Sequence, residues 1–214
     1  MLICLEHLMR GEEDWEPTLV TMTTMDHVMD IDWRASYKQG WTAFLVAAFQ
    51  GNGAALENLS LGAVGIAKHE VPWSEVAGMM SSKPKMSLLM CLARGHTIAS
   101  MSNKQAIRSF MSDLIENASL HQLNFADPAG STALHVCALH GLDEEVNQLL
   151  KRGVDHRARC KVRSMPGNTY TALDMAMHRN EQAPSSKLDS VIQRLQEFEE
   201  RQLNGSANDS SLEA

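Results

Sequence analysis

The chain has 214 residues, 44% of them hydrophobic and 21% charged, with a formal net charge of −7. That balance suits a folded chain with a sizeable core and excludes a disordered one. The acidic surplus argues against nucleic-acid binding through the whole surface, and no apolar stretch approaches the roughly 18 to 20 residues of a membrane helix.

In chain order, residues 1–36 carry two apolar-periodic stretches, Leu2 to Met9 and Leu19 to Met29, split by a polar segment from Gly11 to Pro17. They predict a helical cap or a degenerate first helix pair. The opening MLICLEHLMR has no basic leader and holds Glu6 inside its apolar run, unlike a secretory signal. Next comes Gly40-Trp-Thr-Ala-Phe-Leu-Val-Ala-Ala-Phe-Gln-Gly51. Residues 62–85, with Pro72, Trp73 and Pro84, predict a long connection with a short helix near 73–80. A fainter block, Met86-Ser-Leu-Leu-Met-Cys-Leu-Ala-Arg-Gly95, is followed by an amphipathic run from Asn103 to Ile115.

The clearest block is Gly130-Ser-Thr-Ala-Leu-His-Val-Cys-Ala-Leu-His-Gly141. Behind it Leu142, Val146, Leu149 and Leu150 keep helical spacing until Lys151-Arg152-Gly153 ends the run. The last block, Thr169-Tyr-Thr-Ala-Leu-Asp-Met-Ala-Met-His-Arg-Asn180, precedes a helix capped near Ser186, with Leu188, Val191, Leu195 and Phe198 on one stripe. Residues 204–214 predict a frayed polar tail. A Thr or Ser heads each block at 42, 87, 132 and 171, at intervals of 45, 45 and 39. Each reads as a capped first helix of small apolar residues, with Gly51 and Gly141 as stops, and then a second, amphipathic helix. No β-period alternation competes.

These blocks resemble the ankyrin-repeat pattern G-x-T-P-L-H-x-A-A-x-x-G…LL-x-x-G-A, strongly at 130–153 and 40–63, weakly at 86–117 and 169–198. The proline is replaced by Ala43, Ala133 and Ala172, the histidine survives only as His135, and the spacing exceeds the usual 33, which requires lengthened connections. The resemblance implies an all-α ankyrin-repeat solenoid of about four helix pairs over 37–203, with an N-terminal helical cap over 1–36. It also implies partner binding on a concave face. Carried over residue by residue, that face holds Trp41 and Tyr170 in the loops. Phe49 with Gln50, Leu139 with His140, and His178 with Arg179 mark the helix ends. Large groups the stack does not require are expected to be exposed there as hot spots. A second expected site is the connection from Lys151 to Arg163, of local charge +5. Its Arg157, Arg159, Lys161 and Arg163 would grip an acidic or phosphorylated segment of a partner protein.

Cys4, Cys91, Cys137 and Cys160 form no CxxC pair and no cluster with histidine at ligand spacing, so neither metal nor cofactor is expected. His135 and Cys137 point to different helix faces, and the Cys91–His96 neighbourhood lacks an evident Asp or Asn partner. No nucleophile elbow, P-loop, HExxH or dinucleotide fingerprint occurs. The expectation is a monomeric, cytoplasmic, non-catalytic interaction module. One alternative is an effector delivered into host cells by type IV secretion, suggested by stretched ankyrin units and the acidic Gln196-Glu-Phe-Glu-Glu200. A lesser one is a cysteine-dependent hydrolase within residues 1–100.

Overall fold

Thr42, Ser87 and Thr171 each begin a helix by the same device. Their hydroxyls accept the backbone N–H of Leu45, Met90 and Asp174, satisfying donors that a helix start leaves unpaired. Thr132 begins a fourth helix differently, its own N–H donating to Nδ1 of His135 at 3.2 Å. The computed structural model describes residues 40–57, 59, 73–81, 83–162 and 169–209, so the expected cap over 1–36 lies outside the described residues. Along the chain the helices are α1 (Ala43–Phe49), α2 (Trp73–Ala77), α3 (Leu88–Ile98), α4 (Met101–Asn117), α5 (Leu120–Leu123), α6 (Ala133–Leu139), α7 (Asp143–Lys151), α8 (Ala172–Gln182) and α9 (Ser186–Asp209). A further helical segment over 53–57 follows α1.

The chain is mostly helical, and the helices lie in two rows. In front, α1 packs on α3, α3 on α6 and α6 on α8; behind, α4 packs on α7 and α7 on α9. The front row is made of small residues: Ala47, Ala48, Cys91, Ala93, Cys137 and Ala138 are completely buried. Larger groups such as Leu88, Ile107, Met111 and Leu134 fill the space between the rows. The front helices approach to backbone contact. A Cβ on Gly95, inside α3, would sit 1.8 Å from the carbonyl oxygen of Ala48 at the end of α1. One on Gly53 would sit 2.5 Å from the carbonyl oxygen of Asn103. Gly51 and Gly141 end α1 and α6 at φ of +71° and +66°, a conformation that favours glycine.

Side chains also satisfy backbone groups across each boundary between helix pairs. Asn103 of α4 accepts the N–H of Ala54 at 3.2 Å. Arg152, just after α7, donates to the carbonyls of Ile115, Glu116 and Ala118, which α4 leaves open at its C-terminus. His135 accepts at Nδ1 from Thr132, so Nε2 carries the proton and donates to the carbonyl of Tyr170 at 3.2 Å. Ion pairs tie the rear row. The acidic first turn of α7 is met by Arg194 of α9, which holds Asp143 through two contacts at 2.6 and 2.7 Å, and by Arg108 of α4, 3.5 Å from Glu144.

Four expectations need correction. Cys160–Lys161 and Thr169–Tyr170 form an antiparallel two-stranded ribbon, β1 with β2, so the chain is mostly helical rather than all-α. Strands of two residues are too short to show alternation in the sequence. Helix α4 starts at Met101 under a Ser100 cap, because Asn103 turns toward Ala54. The short helix spans Trp73–Ala77 rather than 73–80. Helix α9 runs on to Asp209, into the segment expected to fray, since extending an established helix adds one hydrogen bond per residue fixed.

Gly95→Ala should lower stability by about 3 kcal/mol or more, because a backbone oxygen occupies the place of the new methyl. Gly153→Ala, at φ +79° with open space around it, should cost only about 1 kcal/mol. Urea unfolding of both variants measures the order.

Candidate functional site

Helix α6 ends at Leu139, whereas α8 continues to Gln182, 7 residues against 11. Between the end of α6 and the longer α8 lies a groove of about 340 Å³. Leu139 and His140 line it from α6; Met175, His178, Arg179 and Gln182 line it from α8; Val162, just past β1, closes the side. The ribbon holds that side in place, with Cys160 Sγ donating to Met175 Sδ at 3.3 Å. Met175 is buried, Leu139, His140, Val162 and His178 are half-buried, and Arg179 and Gln182 are exposed. On the rim His178 Nε2 lies 2.8 Å from the Gln182 amide nitrogen, and its Nδ1 lies 3.9 Å from Glu181.

The electrostatics are set by arginine. His140 is held below the usual imidazole range, first by burial and then by the positive charges of Arg179 and Arg94. Arg94 projects from α3, exposed, with its guanidinium 4.3 Å from the centre of the Phe49 ring, a cation–π contact. His96, buried on α3 near Arg108 and Lys104, is pushed down to about 4, burial again being the larger cause.

Four of the residues predicted from sequence, Leu139, His140, His178 and Arg179, thus line one groove. Phe49 is half-buried beside Arg94, and Gln50 is the half-buried C-cap of α1. The expected exposure of Trp41 is corrected: it is 8% exposed. Its ring meets Phe49 edge-on at 5.3 Å, and its Nε1 donates to the carbonyl of Lys83 at 3.3 Å. Tyr170 is half-buried in β2. Arg94 was missed because it falls in the weakest block. The signal was available, since Phe49, Arg94, Leu139 and His178 each lie seven residues beyond the capping Thr or Ser.

The basic connection is less free than its charge suggests. Arg159 donates to the hydroxyl and carbonyl of Thr169, both at 3.0 Å, and braces the ribbon. Arg152 is occupied at the end of α4. Arg157 and Lys161 are exposed, and Arg163 lies outside the described residues. Near the C-terminus, Glu197 receives Arg201 and Gln193 within α9.

Cys91 and Cys137 are completely buried, and burial raises both thiols, Cys91 to about 12. Both nitrogens of His135 are engaged in backbone contacts. Among the described residues no group of three His, Cys, Asp or Glu could hold a metal ion, and no helix is long and apolar enough to cross a membrane. Compared with known proteins, the sequence matches no family model and no curated protein.

Two outcomes follow. In ¹H NMR titrations His140 should titrate below the usual value of about 6.5, and Arg179→Gln should move it upward without restoring it fully, since burial is the larger cause. An unchanged value in the variant would remove Arg179 from the groove's electrostatics. Arg152→Gln should cost about 2 kcal/mol in urea unfolding, because carbonyls at the end of α4 lose a charged donor.

Proposed function

We propose that the chain is a divergent ankyrin-type stack of helix pairs that binds a partner protein and does no chemistry of its own. The observation that carries this reading is the common placement of the residues at the ends of the front helices. Leu139, His140, His178 and Arg179, from two successive helices, share one groove, and Phe49 with Arg94 forms the corresponding contact between the two helices before them. Repeated capping by Thr42, Ser87 and Thr171, and glycine stops at Gly51 and Gly141, support the stacked-repeat reading. A stack of this kind presents a preformed surface whose side chains differ from repeat to repeat, which is what selective protein recognition requires.

The state of the thiols supports a non-catalytic role. The thiolate is the nucleophile in cysteine hydrolases, and burial keeps Cys91 and Cys137 protonated. Cytoplasmic residence and a monomeric state fit the same reading.

A photo-crosslinking amino acid placed at Gln182, on the groove rim, should capture a discrete protein adduct in a lysate of the native cell. The same group at Gln193, exposed on the rear helix α9, should not. Equal capture from both sites, or capture from Gln193 alone, would overturn the assignment of the binding face.

A further inference from the structure

Most arginines of the described chain are already committed. Arg108 meets Glu144 and Glu145, Arg194 holds Asp143, and Arg201 meets Glu197. Arg152 closes a helix and Arg159 braces the ribbon. Arg94 and Arg179, like Arg157 on the connection before β1, have no carboxylate within ion-pair distance among the described residues. Arg94 and Arg179 both act on His140, one from α3 and the other from α8, with α6 packed between those helices. Among the described residues no Asp or Glu lines the groove itself, and Glu181 stands at its rim, 3.9 Å from His178, in a chain whose net charge is −7. Two guanidinium groups without a carboxylate partner, one of them stacked on Phe49, act on one partly buried imidazole and leave this region short of negative charge.

Resting on the binding function proposed above, we infer that the occupant of this groove is an acidic peptide segment whose carboxylates pair with Arg94 and Arg179 and whose apolar side chain enters between them. The apolar lining residues Leu139, Val162 and Met175 receive that side chain. A lone phosphate or carboxylate suits the site poorly. The two arginines project from helices separated by a third, and packed helices lie about 8–10 Å apart. Two such spacings span about 16–20 Å, so at about 3.3 Å per residue an extended peptide places acidic side chains on both when they are roughly five to six residues apart. The guanidinium fork suits carboxylate oxygens, and the separation sets the register of the sequence that binds.

The test is selection from a phage library of random 12-residue peptides on the intact chain, followed by affinity measurement with synthetic winners. Both arginines are exposed, so Arg94→Ala/Arg179→Ala should keep the fold, which circular dichroism checks. The expected winners carry separated Asp or Glu residues around an apolar one. They should lose affinity at least about tenfold against the double variant, a loss of about 1.4 kcal/mol, and should weaken as salt rises. Acidic winners that bind the double variant undiminished overturn the inference. Neutral or basic winners blocked by Gln182→Trp overturn it too, but leave the groove as a protein-binding site. Winners indifferent to Gln182→Trp, or no enrichment at all, overturn both readings.

Discussion

The contact between Gly95 and Ala48 fixes more of this molecule than any other. Where a helix passes so close to its neighbour that no methyl group fits, the pair has one separation and little freedom to slide. Alanine and cysteine at the completely buried positions of α1, α3 and α6 extend that closeness along the row. The bulk that a core needs then comes from the space between rows, where Leu88, Ile107 and Met111 lie. Irregularity is displaced outward, into the long connections and the ribbon, where insertions do not disturb the helix contacts.

The groove follows from that arrangement. Caps at matching places start the front helices in register, so side chains at a fixed distance beyond the caps emerge on a common side. The groove itself lies between the end of the short α6 and the longer α8. Charge is distributed with the same economy. The acids at the start of α7 hold Arg108 and Arg194 in the rear row, and among the described residues Arg94 and Arg179 on the front helices have no carboxylate partner. Met175 and Cys160, sulfur against sulfur, hold the ribbon at the groove's edge and so fix the position of Val162.

Much of this was legible because it is local. Thr42, Ser87 and Thr171 sit directly before runs of small apolar residues, and a capping hydroxyl needs only the N–H three residues on. Gly51 and Gly141 announce their turns for the same reason. What escaped the sequence is non-local. Trp41 looked dispensable to the stack, yet it is covered by the segment at Lys83, 42 positions away. Arg152 and Arg159 counted as loose positive charge, whereas their role is to donate to carbonyls brought near by packing. The ribbon has too few residues per strand to leave a period. Arg94 was hidden by the weakness of its block, although its distance from Ser87 places it with Phe49, Leu139 and His178.

Asn103, Arg152 and His135 each complete a backbone that belongs to the adjoining helix pair. Each does so with a different chemical group: an amide, a guanidinium and an imidazole. The pairs are consequently not interchangeable bricks. Cutting the chain between α5 and α6 would strip α4 of its closing arginine, and shuffling the order would bring the wrong donor to every seam. The molecule is indivisible at these seams, and grafting its groove elsewhere would mean carrying the neighbouring helix pair along with it.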